Sequence, residues 1–190
     1  MNKDLTTGKP ASVLLRFTLP MLLSVAFQQL YNIADSVIAG KFAGEDALAA
    51  VGASYPVTMI FMAVAFGMNI GISVVISQLF GAKDFKEMKT AAYTGFISVA
   101  VLGVVLTVVG TVRCEPILRM LGTPENIMED TALYLAIYIW GLLFLFIYNI
   151  SSGVFTSLGD SKTPLWFLIA SSVGNIVLDA VFVIIFHWGV

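Results

Sequence analysis

The sequence predicts an all-α integral membrane protein built as a bundle of five transmembrane helices. Hydrophobic residues make up 58% of its 190 residues, and the mean hydropathy is +0.93. Charged residues make up 12%, well below the roughly 25% of soluble domains. The apolar residues form long segments without the alternation of barrel strands. Because a membrane-spanning segment must satisfy its own backbone hydrogen bonds, we expect helices.

Five apolar segments are long enough to cross a bilayer core of about 30 Å, which needs about 20 helical residues. The predicted helices are 13–39, 47–80, 91–112, 132–157 and 165–187. The second exceeds one crossing, so we expect it to tilt or to begin outside the hydrocarbon core. Glycines, prolines and charged residues separate the segments, as in the polar turn 157–164.

Basic residues near the segment ends predict the orientation of the chain in the membrane. Seven lie on the side of the N-terminus: Lys3, Lys9, Arg16, Lys83, Lys86, Lys89 and Lys162. Three lie on the other side: Lys41, Arg113 and Arg119. We therefore predict a multi-pass protein of the plasma (cytoplasmic) membrane with a cytoplasmic N-terminus. The single cysteine, Cys114, excludes an internal disulfide, and the absence of a basic stripe argues against a nucleic-acid partner.

Two of the twelve acidic residues lie inside apolar segments, and they are the main functional signal. Asp35 is in the first segment and Asp179 in the fifth, where a charged acid costs about 2.5–3.5 kcal/mol on insertion scales. Asn175 precedes Asp179 by four residues, so the two share a helix face. Intramembrane acids typically mark ion or substrate pathways. The alternative is a structural hydrogen bond or, for Asp35, a position near the interface.

Further polar residues extend this signal. Gln28 and Asn32 fall on the helix face of Asp35. The second helix carries its own polar stripe: Asn69, Ser73 and Ser77. Such stripes favour a hydrated cavity, although serine and threonine also bond their own helix backbone. Gly67 and Gly71 of the second helix suit close helix packing.

The chemistry of the acids and the amide suits a reversibly bound cation. Burial raises the pKa of a carboxylic acid, and a nearby cation or proton relieves the isolated charge. Oxygen ligands suit a hard cation. We therefore predict that Asp35, Asn175 and Asp179 bind H⁺ or Na⁺, with no other metal and no cofactor. Pro20 removes one backbone hydrogen bond and permits a bend in the first helix, which would couple ion binding to a change in the cavity.

Several stretches of the chain resemble the multidrug and toxic compound extrusion (MATE) transporters. They are TLPMLLSVAFQQLYNIADSVIAGKFAG, LAAVGASYPV, SQLFGAKD, LGDSKTP and GNIVLDAVFV. The last two, in this order and spacing, are the most specific. The resemblance implies that Asp35, Asn175 and Asp179 form the cation-responsive site of an N-terminal lobe. It also implies a wider polar network: Gln28, Tyr134 and Asn149.

The resemblance further implies a function and an architecture. Such proteins are transporters, not enzymes, and they exchange H⁺ or Na⁺ for organic cations and other drugs by alternating access. They have two six-helix lobes. We therefore expect the chain to be most of one such lobe, an incomplete N-terminal fragment ending at Val190. The expected partners are organic cation or drug substrates, the lipid bilayer and the missing C-terminal lobe.

Other functions stay open at this point. The nearest alternative is a lipid-linked oligosaccharide flippase or polysaccharide exporter of the same superfamily. An intramembrane aspartyl protease also uses two membrane acids, but the Gly-x-Gly-Asp pattern of that class is missing from the sequence. A passive channel would conduct without a coupled gradient.

Overall fold

The computed structural model describes residues 10–38, 45–179 and 181–182 of the chain. The helices are α1 (Pro10–Ile38), α2 (Glu45–Gly81), α3 (Phe85–Met120), α4 (Met128–Trp140), α5 (Leu142–Ser157) and α6 (Lys162–Asp179). A short 3-10 helix, Glu125–Ile127, precedes α4. These residues contain no strand, so the predicted all-α class is confirmed.

The apolar helices supply the membrane crossings. Within the described ranges, three single helices are long and apolar enough to span a bilayer, and the bent pair α4 and α5 is long and apolar enough when counted as one span, which we call the fourth crossing. The described part of the fifth predicted segment is the shorter apolar helix α6. Residue 180 and residues 183–187 of that segment lie outside the described residues, as does residue 39 at the end of the first.

The fourth predicted helix, 132–157, is in fact two helices that meet at Gly141 with a bend of 46°. The Gly141 N–H donates to the carbonyls of both Ile137, at 3.3 Å, and Tyr138, at 3.0 Å. Such shared bonds tighten the last turn of a helix. The apolar run continues through the break, so a single glycine was its only signal in the sequence.

The third predicted helix, 91–112, is too short. The observed helix α3 has 36 residues, which corresponds to about 54 Å. Asp84 sets its start, because its carboxylate accepts a hydrogen bond from the Glu87 N–H at 3.2 Å. The added turns carry charged residues such as Lys86 and Arg119. The apolar stretch therefore predicts the part of α3 that crosses the membrane, and the helix extends beyond that stretch at both ends.

The buried core lies between α2, α3, α4 and α5. Leu118 of α3, Leu135 of α4 and Phe146 of α5 are almost completely buried. Helix α1 packs along α6, and α6 also contacts α5. Many large apolar side chains on α1 and α3 remain exposed. Lipid can cover them without cost, because lipid tails are as apolar as the side chains.

The turn between α5 and α6 is organised by Asp160, which caps the start of α6. Its carboxylate accepts hydrogen bonds from the backbone N–H groups of Lys162 and Thr163, both at 3.1 Å, and from the Thr163 hydroxyl at 2.6 Å. Partial burial pushes the pKa of this carboxyl up, but these hydrogen bonds outweigh that effect and lower the pKa below its ordinary value. The cap is therefore strongest in its ionised form.

Replacing Asp160 with alanine is expected to cost about 1 kcal/mol of stability at pH 7, the typical value of a helix cap. Because the pKa is lower in the folded chain than the roughly 3.9 of the unfolded one, this contribution is complete above pH ~4. It disappears as the pH falls through the folded-state pKa. Denaturant unfolding in detergent at several pH values would measure it. Thr163→Ser should resemble the parent and Thr163→Val should not; equal stability of Asp160→Ala and the parent at pH 7 would contradict the cap.

Candidate ion-binding site

Helices α1 and α6 pack against each other, and they carry the predicted ion-binding residues. If successive crossings alternate in direction, α1 and α6 run the same way through the membrane. Asp35 lies near the C-terminal end of α1, and Asp179 is the last residue of α6. The two acids are therefore placed toward the same end of the helix pair. The side chains of Asp35 and Asp179 lie outside the part of the chain that the structure describes.

Asn175 of α6 carries a buried side-chain oxygen, Oδ1, that has no hydrogen-bond partner among the described residues. An unsatisfied buried polar group costs about 1–3 kcal/mol, so most buried polar atoms in proteins have partners. Asn175 lies one helical turn before Asp179 on the same face. An oxygen held without a donor in this position is suited to meet a cation.

The other predicted network residues lie in different surroundings. Asn149 on α5 is buried, and its Nδ2 donates to the Leu145 carbonyl at 2.9 Å. Tyr134 is half-buried on α4, which packs against α2 and α3, and Gln28 is exposed on α1. Pro20 is buried, and α1 continues as one helix through it. The assignment of Gln28, Tyr134 and Asn149 to one network, and of a bend to Pro20, stays a prediction.

Two residues of the polar stripe predicted on the second helix, Asn69 and Ser73, lie in a contact between α2 and α5. The Ser73 hydroxyl donates to Asn69 Oδ1 at 3.1 Å, and the Ser157 hydroxyl of α5 donates to the Ser73 carbonyl at 3.1 Å. The amide of Asn69 lies directly on Gly153 of α5, where an added Cβ would collide with Asn69 Oδ1. Ser77 bonds its own helix, at Val74. We call the group Asn69, Ser73, Gly153 and Ser157 the α2–α5 clasp.

The interpretation of Gly67 and Gly71 as packing residues is wrong for the described chain. A Cβ atom built at either position meets no described atom within 4 Å. The close contacts occur at other glycines. At Gly95 an added Cβ would lie 2.9 Å from Ile72 Cγ2, and at Gly110 it would lie 3.1 Å from Ile139 Cδ1. The sequence did not identify Gly153 as a packing residue, because its partner, Asn69, lies on another helix. The only local indication of a close contact was the spacing of Gly153 and Ser157.

A groove of about 600 Å³ lies between α2 and α3. Its walls include Ile72 and Val75 from α2 and Glu87, Thr94 and Ser98 from α3. None of the predicted ion-site residues lines it. In the described ranges, no three His, Cys, Asp or Glu residues come together as a metal site.

Comparison with known proteins gives consistent matches. The MatE family model matches residues 20–181. The probable multidrug resistance protein YoeA of Bacillus subtilis (strain 168) is 35% identical over 168 residues, which cover 88% of this chain and 36% of that protein. The probable multidrug resistance protein YpnP of the same strain is 33% identical over 187 residues, which cover 98% of this chain and 42% of that protein.

A solved structure has the same fold. It is described as the outward-facing conformation of a multidrug resistance MATE family transporter of the MOP superfamily, and it matches with a TM-score of 0.91 at 29% identity. The match covers 97% of this chain and 41% of that chain. The chain thus spans about two fifths of the length of the proteins it matches. Since the family model covers most of the chain and the helices superimpose along nearly its whole length, the chain belongs to the MatE family of membrane transporters.

Proposed function

We propose that the chain is the ion-coupling part of a multidrug efflux antiporter, which moves H⁺ or Na⁺ into the cell and organic cations or other drugs out by alternating access. Asp35, Asn175 and Asp179 bind the coupling ion. The drug pathway is completed by a second lobe, which corresponds to the part of the solved relative that this chain does not match. The alternative of an oligosaccharide flippase or polysaccharide exporter finds no support in the comparisons.

The observation that carries this proposal is the unpaired oxygen of Asn175 on a helix packed against α1. A buried oxygen without a donor, one turn from an intramembrane acid, gives a cation two oxygen ligands on one helix. Asp35 on the neighbouring helix α1 adds a second carboxylate. One bound Na⁺ or proton would reduce the free-energy cost of holding these negative charges in the membrane. The names of the relatives YoeA and YpnP support drugs as the exported substrates.

The proposal includes the setting in the membrane. The chain lies in the plasma membrane with its N-terminus in the cytoplasm, because most basic residues at the helix ends lie on that side. The turns at 81–84 and 158–161 then face the cytoplasm, and the turn before α4 faces outward. Coupling-ion entry would be from the outside, toward the ends of α1 and α6 that carry the acids.

The test is export of ethidium from proteoliposomes by a chimera in which this chain replaces the matching part of YpnP. An inward Na⁺ or H⁺ gradient is imposed, and the ion that drives export is the coupling ion. Collapse of that gradient with an ionophore should stop export. Export that continues at the same rate without either gradient would contradict coupling.

Replacing Asn175 with leucine is expected to separate stability from ion binding. Leucine removes an unpaired buried oxygen, so the free energy of unfolding should rise by about 1–2 kcal/mol. Loss of a ligand should weaken Na⁺ or H⁺ affinity roughly tenfold or more. Unfolding of the 190-residue chain in lipid nanodiscs, followed against Na⁺ concentration and pH, measures both, since a bound ion stabilises the folded chain.

Asn149→Leu is the matched control for the change in stability alone. Asn149 donates a hydrogen bond to the Leu145 carbonyl, so removing its amide should not raise stability. An Asn175→Leu chain that is less stable than the parent and keeps its response to the ion would show that Asn175 has a structural role only.

A further inference from the structure

The helix break at Gly141, between α4 and α5, packs against one face of α3. Thr107 of α3 donates its hydroxyl to the carbonyl of Ile139 at 3.3 Å. Ile139 lies in the last turn of α4, where carbonyl groups lose their regular partners within the helix. The hydroxyl therefore supplies a hydrogen bond from a neighbouring helix at the point where the fourth crossing is interrupted.

Small residues on either side of Thr107 let the broken helix approach α3 closely. A Cβ added at Gly110 would lie 3.1 Å from Ile139 Cδ1, before the break, and one added at Gly103 would lie 3.2 Å from Leu143 Cδ1, after it. Gly103, Thr107 and Gly110 are spaced i, i+4 and i+7, so they form one helix face. This face contacts the last turn of α4 and the first turn of α5 together. The shape of this α3 face therefore matches a helix that is bent at Gly141.

The bend has a large effect on the residues around it. Tyr134 and Asn149 lie on opposite sides of Gly141, Asn149 eight residues after it, which is a lever of about 12 Å. Straightening a 46° bend would displace Asn149 relative to α4 by about 9 Å. Such a displacement exceeds the length of a hydrogen bond several times. The geometry of any polar network that includes both residues therefore depends on the bend.

We propose that Thr107 is a positioning residue of the transporter: its hydroxyl latches the fourth crossing in the bent form and so fixes the relative placement of Tyr134 and Asn149. The functional consequence rests on the proposed ion-coupling function and on the prediction that Tyr134 and Asn149 belong to its polar network, whereas the latch itself rests on the contacts of Thr107, Gly103 and Gly110. One intramembrane hydrogen bond changes the ratio of bent to straight chains by about 3- to 15-fold.

The latch is tested on the 190-residue chain in nanodiscs by pulsed electron spin resonance. Spin labels are placed at the exposed positions Val112 of α3 and Leu133 of α4, in a Cys114→Ala background. Leu133 lies eight residues before Gly141, so its lever is also about 12 Å. In Thr107→Val we expect a new population in which α4 has moved away from α3 and the distance between the labels is longer by up to about 9 Å. Thr107→Ser keeps a hydroxyl and should retain the parental distances. Parental distances in Thr107→Val would overturn the latch.

The control on the same helix is Thr111→Val, since the Thr111 hydroxyl donates to the Thr107 carbonyl of its own helix. In the chimera, Thr107→Val should shift the ion concentration for half-maximal export by about threefold or more. The KM for ethidium should be unchanged, and Thr107→Ser should restore the parental value. Equal ion dependence in Thr107→Val and Thr111→Val would overturn the positioning role. Failure of the ion site itself would be seen separately, as parental export by variants of Asp35 and Asp179.

Discussion

Replacing Asp179 or Asp35 with asparagine is expected to abolish gradient-driven ethidium export by the chimera while leaving membrane insertion intact. Asparagine keeps the shape of the side chain but cannot take up a proton or balance the charge of Na⁺. Insertion should if anything improve, because an acid inside an apolar helix is costly. The initial rate of export should fall roughly tenfold or more, since each acid is proposed to bind the coupling ion.

The control for this experiment is Asp130→Asn. Asp130 is exposed in the first turn of α4, so its charge should not affect coupling. Amounts of protein in the liposomes are matched by quantitative blotting, which separates insertion from transport. Export at the parental rate by both the Asp35→Asn and the Asp179→Asn variants would remove the ion site from α1 and α6.

The fold follows from the sequence wherever a local property decides it. Long apolar segments predicted the crossings, because a bilayer accepts only segments that are apolar and satisfy their own hydrogen bonds. The ends of α3 were not predictable in this way, since a helix that leaves the membrane continues when nothing stops it. The break at Gly141 was also hidden, because the residues that it packs against, Thr107 and Gly110, lie on another helix.

The same division applies to the candidate site. The spacing of Asn175 and Asp179 is local, so it places both on one face of α6 without further information. The sequence shows the polar stripe at Asn69 and Ser73, but it does not show what these side chains contact. A polar residue inside the membrane can face water, its own backbone or another helix, and only the position of Gly153 on α5 shows which applies.

Replacing Gly153 with alanine is expected to lower the free energy of unfolding by about 2–3 kcal/mol, the cost of overpacking a close contact. The new methyl group would collide with Asn69 Oδ1 and lie 2.6 Å from Ser73 Oγ. The Asn69 side chain must then rotate away and lose its hydrogen bond from Ser73, or α2 and α5 must separate. Denaturant unfolding of the 190-residue chain in mixed micelles would measure the loss.

Removal of the Asn69 side chain tests whether the clasp is the cause. The double variant Asn69→Ala with Gly153→Ala should recover much of the lost stability, because the methyl group then meets no amide, and the double-mutant cycle gives the coupling between the two positions. Gly67→Ala is the matched control on α2: its Cβ meets no described atom within 4 Å, and alanine favours a helix over glycine. If Gly153→Ala and Gly67→Ala unfold at the same denaturant concentration, close approach at Gly153 does not hold α2 and α5 together.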